Sequence, residues 1–421
     1  MSETIIETQT HWLDKPMSSV LRLDWEKALY AAIFVLAVLS RFWDLGVRAI
    51  SHDESLHAYY SFELYRGEGF QHSPLMHGPL RFHLNALFFT LFGVDDFTVR
   101  IPAAIFGVAL VMSPILLRRW LGRRGALITS FLILISPSIL YHARYIRDEP
   151  FMLLFAALLL WAVLSYLRER TSKWLYLMAT LVALLYTTME AAFIYIAIFG
   201  VFAVAVAITE VARDAGWGRA GAGGALLGIG AAIALMLAGL LLGARFLESV
   251  RPALPPDGSP IPFIQLLPGL AFIALIGLLI GAGVFFTLRS WVPDSARRSA
   301  GFNLAIVLGG LSLFMLSASA LLLLNYQFGT VYQEVNGVVQ AVPDSGNTIW
   351  GVLSGERNAL YFDAALFASG NFPLDAANTV NLVRLLFLFA CFAALALGLG
   401  LWWDSRKWLI ALGIFGGISV V

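Results

Sequence analysis

The hydrophobic positions of this chain come in long blocks with short polar breaks between them. An α-helix needs about 20 mostly apolar residues to cross the hydrocarbon of a bilayer. On that measure the pattern predicts spans near residues 28–45, 97–117, 125–142, 150–167, 174–189, 191–209, 221–245, 262–288, 300–325 and 381–403, with a further one beginning at 408. The last block, Leu409 to Val421, is shorter than a span requires, so the expectation is a chain truncated inside it. The expected fold is all-α: a polytopic transmembrane helix bundle of about eleven spans.

Polar stretches then divide the chain. Residues 1–27 form an N-terminal segment of mixed charge, and 28–326 a transmembrane core interrupted by an outer loop at 46–96. Residues 327–380 form a second outer loop, and 381–421 the C-terminal spans. Long loops of this kind usually carry function or structure of their own. In the first, residues 53–66 read as a helix ended by Gly67, with Asp53, His57 and Ser61 four residues apart on one face. After a turn at Gln71–Pro74, residues 78–92 read as a second helix, apolar but too short to span. It is expected to lie in the membrane interface with Arg81 and Asn85 towards water. The second loop carries Glu334, Asp344, Glu356, Arg357, Asp363 and Asp375 among aromatics and reads as a lid over the first.

Composition agrees with the membrane reading: 59% of residues are apolar and 13% charged, against roughly 25% charged in soluble domains. A net charge of +1 argues against a nucleic-acid-binding surface. Cys391 is the sole cysteine and sits in an apolar run, which leaves no disulfide framework or cysteine metal site. The N-terminal segment lacks a cleavable signal pattern, so the first apolar run is expected to stay as an anchor. Alternating the spans from a cytoplasmic N-terminus puts most Lys and Arg in short inner loops, notably Arg118, Arg119, Arg123 and Arg124, then Arg168, Arg170 and Lys173. That bias fixes the expected orientation in a plasma membrane. All histidines except His11 then face outward, five of them (His52, His57, His72, His77 and His83) in the first outer loop. The chemistry is expected outside.

Asp53 and Glu54 stand at the start of that loop. Ionised carboxylates at the lip of a bilayer are costly and usually mark substrate or ion chemistry. Ser51-x-x-Glu54 also fits a capping box, which accounts for Glu54 structurally, and Asp53 could serve the helix dipole. Neither explains the neighbouring histidines, among them His57. In the stretch Tyr141–Pro150, Asp148 can cap the following helix. Arg144 and Arg147 beside Glu149 suit bidentate recognition of phosphate. His77-Gly78-Pro79 reads as a turn whose histidine is either a surface residue or a substrate contact. Glu190 divides an apolar stretch long enough for two spans and so belongs at their outer hairpin. The Gly- and Ala-rich run 221–243 reads as close helix packing. No phosphate-binding glycine loop, dinucleotide fingerprint or zincin motif is present.

Several elements occur in one order: the acidic dipeptide after the first span, His77-Gly78-Pro79-Leu80, and the run Leu91-Phe92-Gly93-Val94-Asp95-Asp96-Phe97-Thr98-Val99-Arg100-Ile101-Pro102. Leu121-Gly122-Arg123-Arg124-Gly125-Ala126, Ser136-Pro137-Ser138 and Ala143-Arg144-Tyr145 follow. This order over residues 45–200 resembles the polytopic GT-C glycosyltransferases, which include protein O-mannosyltransferases and lipid A aminoarabinose transferases. Within them it looks closest to the flippase activity-associated protein family. The resemblance implies a transferase that uses a polyprenyl-phosphate-linked sugar on the outer face, with a lipid, glycan or protein as acceptor. Asp53 matches the first-loop carboxylate implicated in acceptor activation or metal binding, and Asp148 the acidic position of the second outer turn. On this reading Asp53 and Asp148 are catalytic and are the candidate ligands of a divalent Mg or Mn ion. Glu54, His57, His77, Arg144, Arg147, Glu149 and Glu190 contact substrate. Many relatives carry His-Lys-Pro-Pro where this chain has His77-Gly78-Pro79-Leu80, so the lysine is absent. The alternative is a non-catalytic protein that binds lipid-linked sugar or assists its flipping, with carboxylates lining a path across the membrane. A secondary transporter would show interrupted spans in matching halves, and no such pair is seen.

Overall fold

A computed structural model describes residues 24–68, 77–253, 260–316, 330–335, 338–343 and 376–419. The N-terminal segment up to residue 23, the expected turn at 71–74 and most of the expected lid lie outside the described residues. In chain order the helices begin with α1 (Trp25–Phe42), α2 (His52–Tyr65), α3 (Leu80–Phe92), α4 (Ile101–Met112), α5 (Arg118–Ile135) and α6 (Pro137–His142). There follow α7 (Glu149–Glu169), α8 (Ser172–Tyr186), α9 (Ala192–Ala215), α10 (Ala222–Ser249) and α11 (Phe263–Trp291). The last are α12 (Asp294–Arg298), α13 (Ala300–Ala305) and α14 (Ala376–Ser419). Among the described residues six helical stretches are long and apolar enough to cross a membrane: 98–115, 149–169, 192–215, 222–249, 263–291 and 382–419. The polytopic helical membrane fold is thus borne out. A short antiparallel hairpin, β1 (Thr330–Val335) with β2 (Val338–Pro343), accompanies the helices within the segment expected to form the second outer loop. Asn-Gly, the sequence between the two strands, is a strong hairpin signal that the lid reading passed over.

The chain forms two compact units, residues 1–50 with 95–154 and residues 51–94 with 155–421. In the first, α1 buries one face, Tyr30, Ile33 and Ala37, against Val108 and Val111 of α4 and Leu127 and Leu134 of α5. The spacing of three and four residues is what a single apolar stripe on a helix requires. The other face of α1, Leu36 and Leu39 among it, is exposed, as expected of a helix that meets lipid. Trp25 and Trp43 bracket the helix, and tryptophans favour the two membrane–water interfaces. At the amino end of α1 the Glu26 carboxylate accepts from Arg118 at 2.5 Å and Arg123 at 2.6 Å. At its carboxyl end Arg144 donates to the Ser40 carbonyl at 2.7 Å and the Asp44 carbonyl at 3.4 Å. The expected span 125–142 is broken: α5 stops at Ile135, and Ser136 turns extended (φ −61°, ψ 117°) before α6. Pro137 is the cause, since the residue before a proline is driven out of helical geometry.

In the second unit α10, α11 and α14 pack at close range through small residues. A Cβ added at Gly398 would meet the Gly281 carbonyl oxygen at 2.8 Å, and one at Gly243 would meet the Phe387 ring at 2.8 Å. Glu210, near the carboxyl end of α9, ties two other segments to that helix at one end of this unit. It accepts from Arg170 at 2.7 Å, from the Ser299 hydroxyl at 2.7 Å and from the Gly301 amide at 3.2 Å. Near the carboxyl end of α10, Arg384 donates to Glu248 through two nitrogens at 2.8 and 2.6 Å. Asp404 adopts extended geometry inside α14 (φ −161°, ψ 100°) and accepts from the Lys407 amide at 3.0 Å. It is a cap that separates the two C-terminal apolar blocks where the sequence put their boundary. Cys391 is fully buried in the first of them.

Candidate active site

The loop expected on the outer side after the first span is built on α2 and α3, both in the second unit. Ser51 stands at the N-cap of α2, and its amide donates to the Glu54 carboxylate at 3.1 Å, one arm of a capping box. Glu54 is fully buried, and with His57 and Ser61 it makes the buried stripe of α2. That stripe faces α3. Arg81 donates to Nδ1 of His57 at 2.9 Å, and the Asn85 amide donates to the Ser61 hydroxyl at 3.3 Å. Because an arginine can only donate, Nδ1 of His57 accepts and the ring proton sits on Nε2. Arg81 and Asn85 therefore do not point to water as expected; each is about 1% exposed. The reason is pairing: the polar stripe of α2 supplies hydrogen-bond partners for the buried guanidinium and amide. Asp53 lies one position off that stripe, in the first turn of α2, and is exposed. It does not share the buried face with His57 and Ser61.

His77 and Glu190, more than a hundred residues apart in sequence, meet in this unit. Nδ1 of His77 lies 2.9 Å from the Glu190 carboxylate. Glu190 stands on the turn between α8 and α9, and the backbone fixes the loop there. The Gly78 amide donates to the Thr188 carbonyl at 2.9 Å, and the Leu80 amide to the Thr187 carbonyl at 2.9 Å. His77 itself adopts φ +65°. A Cβ at Gly78 would fall 2.2 Å from the Thr187 carbonyl oxygen and 2.5 Å from its carbon, both rigid backbone atoms. Gly78→Ala is therefore expected to push the loop off the turn. The cost should be about 1–3 kcal/mol, as for overpacking elsewhere, read as a lower melting temperature of the detergent-purified protein. An unchanged melting temperature would show that the loop is not held there.

The remaining candidates belong to the first unit. Asp148 is 1% exposed, and its carbonyl accepts from the Met152 amide at 3.0 Å as α7 begins, the position of an N-cap. Arg147 reaches the Glu149 carboxylate at 3.3 and 3.2 Å through two nitrogens, and His142 stands 3.9 Å from the same carboxylate. Arg144 is held instead by the α1 carbonyls. The Arg48 guanidinium lies over the rings of Tyr141 and Tyr145, at 5.6 and 4.9 Å. Arg41 and Arg100 are fully buried nearby. Arg41 donates to the Leu134 carbonyl at 3.2 Å, and Arg100 to the Leu45 and Arg48 carbonyls at 3.0 and 2.9 Å. The sequence reading missed this collar because the arginines sit singly at span ends, bonded to backbone oxygens that no side-chain motif announces. Asp95, also outside the spans, accepts from the Thr98 and Phe97 amides at 2.6 and 2.9 Å. The Thr98 amide above all holds its carboxyl below the usual range.

The structure thus joins His77 to Glu190 and Arg147 to Glu149, and sets Glu54 beside His57 on α2. Asp53 falls in the second unit and Asp148 in the first. Among the described residues no three His, Cys, Asp or Glu side chains group closely enough to hold a metal ion.

Residues 76–229 match the sequence model of the dolichyl-phosphate-mannose-protein mannosyltransferase family. The match takes in His77, the 141–150 turn and Glu190, and begins beyond Asp53. Over that span the resemblance to GT-C glycosyltransferases is borne out. No curated protein matches the chain in sequence. Among solved structures the chain is similar to ArnT from Cupriavidus metallidurans bound to undecaprenyl phosphate. That pair shares 16% identity over 93% of this chain and 77% of that one, with a TM-score of 0.36. It is also similar to the archaeal oligosaccharyltransferase AglB from Archaeoglobus fulgidus in complex with an inhibitory peptide and a dolichol-phosphate. Here the identity is 13% over 96% of this chain and 56% of that one, with a TM-score of 0.38.

Proposed function

We propose that this membrane protein, with its glycosyltransferase-type segment, moves a sugar from a polyprenyl-phosphate donor to an acceptor hydroxyl on the extracytoplasmic face. The observation that carries this reading is the family match over residues 76–229, which contains most of the residues singled out for substrate contact. The acceptor is a lipid, glycan or protein. In the reaction the acceptor oxygen attacks the anomeric carbon, the bond from that carbon to the phosphate oxygen breaks, and polyprenyl phosphate leaves. Asp53 takes the proton of the attacking hydroxyl. Its exposed place in the first turn of α2 keeps the carboxylate accessible to a substrate, and the buried polar ladder between α2 and α3 holds that helix still. Arg144 and Arg147 lie towards the donor phosphate, with the lysine of the relatives' first loop absent at Gly78. His77, oriented by Glu190 at 2.9 Å, contacts the sugar or acceptor. Glu54 and His57 order the start of α2, and Asp148 and Glu149 the start of α7. The N-terminus lies in the cytoplasm of a plasma-membrane protein, as the bias of basic residues supports.

The test is product formation. Purified protein given radiolabelled polyprenyl-phosphate sugar and an acceptor lysate is expected to move label into a lipid, glycan or protein fraction. Flipping of the labelled lipid across vesicles with no sugar transferred would overturn the reading in favour of a flippase role.

A further inference from the structure

The arginines at the start of α5 divide into two sets. Arg118 and Arg123 are committed to α1: both donate to the Glu26 carboxylate, and Arg123 also reaches that of Asp24. The Arg123 guanidinium lies over the Trp25 ring at 5.0 Å. These contacts pin the start of α5 beside the amino end of α1, within the first unit. Between the two arginines α5 is broken at Gly122 (φ 71°, ψ 170°), a positive φ that favours glycine. Arg118 to Leu121 therefore form a separate turn, with Trp120 37% and Leu121 43% exposed. Arg119, Arg124 and Lys27 are exposed around it. Five basic side chains thus gather against the two carboxylates of Asp24 and Glu26, an excess of three positive charges. Residues 1–23 carry three acids and two bases, which would remove only one of that excess.

The apolar neighbours identify the partner. Trp25 and Trp120 mark the membrane–water interface, where tryptophan concentrates. Leu29, 48% exposed, follows Trp25 by about 6 Å along α1 at 1.5 Å of rise per residue. Positive charge at headgroup level, interleaved with indole and leucine that continue towards the hydrocarbon, fits an anionic phospholipid. A soluble anion would gain nothing from Trp120 and Leu121. We propose that this patch is a binding surface for anionic phospholipid, with the phosphate on Arg119, Arg124 and Lys27 and the glycerol and upper acyl chain against Trp120 and Leu121. The 141–150 turn is bonded instead to the carboxyl end of α1, about 27 Å away along that helix, so the lipid is held in the leaflet away from it. The inference is independent of sugar transfer: a chain that moves no sugar still selects this lipid.

The experiment places the full chain in phosphatidylcholine nanodiscs doped with a phosphatidylglycerol that carries a photoreactive diazirine near its glycerol. Illumination is expected to label the 117–124 peptide, and less so as salt rises. Excess unlabelled phosphatidylglycerol should suppress the labelling, whereas added phosphatidylcholine or soluble glycerol phosphate should not. Arg119→Gln with Arg124→Gln spares the Glu26 contacts and should lower the preference for phosphatidylglycerol by up to about fivefold for each charge removed. Replacing the same two residues by lysine should keep most of it. Trp120→Ala leaves every charge in place and should also lower the labelling, which covers the case of a misfolded glutamine variant. Equal labelling by a phosphatidylcholine of the same design, or an unchanged preference in a glutamine variant that melts like wild type, would overturn the patch. Competition by glycerol phosphate as strong as that by phosphatidylglycerol would make it a site for soluble anions and overturn the lipid assignment.

Discussion

Asp53→Asn is expected to slow sugar transfer by about 10²–10⁴-fold, the usual contribution of a general base, while the protein stays folded. Asparagine keeps the size and the hydrogen-bonding oxygen of aspartate but cannot take the proton of the attacking hydroxyl. The fold has little reason to object. Asp53 is exposed and lies off the stripe that α2 buries against α3, and the capping contact at this helix start belongs to Glu54. The measurement is single-turnover transfer from labelled polyprenyl-phosphate sugar by purified wild-type and variant proteins of matched melting temperature. A variant that transfers at the wild-type rate removes Asp53 from the chemistry and leaves it a role only at the helix dipole.

Arg384→Ala is expected to lower stability by about 3–5 kcal/mol, the typical cost of stranding one partner of a buried ion pair. The Arg384 side chain is 4% exposed and that of Glu248 12%. Two nitrogens of the arginine converge on one carboxylate oxygen, and Arg251 approaches the other at 3.0 Å. Removing the arginine leaves the Glu248 charge with a partly exposed partner. The double variant Arg384→Ala with Glu248→Ala should recover part of the loss, because the buried carboxylate is then gone and the charge left behind, on Arg251, is partly exposed. Thermal unfolding in one detergent, run as a cycle of the four proteins, checks both statements. An Arg384→Ala protein as stable as wild type would show that the pair is solvated.

Periodicity made most of the helices legible, because apolar blocks of span length have few other readings. The capping box at Ser51 and the boundary near Asp404 were legible for a similar reason: both are local chemistry. What stayed hidden was decided through space. Arg81 and Asn85 were expected towards water because an isolated interfacial helix would turn its polar side there. Only the facing stripe of His57 and Ser61 reverses that choice. His77 and Glu190 were each singled out alone, and no spacing rule joins two residues so far apart. The break at Ser136 was written in Pro137 but overrun, since the apolar block continued past it. The hairpin after residue 329 was signalled by Asn-Gly, yet a loop rich in charge and aromatics invited a looser description.

Cys391 has a practical consequence. The native thiol is enclosed by protein, so a membrane-impermeant maleimide added to cells meets almost no background. Reporter cysteines can be placed one at a time without first rebuilding the chain. A pair such as one at position 190 and one at 213 then reads directly which way each hairpin faces.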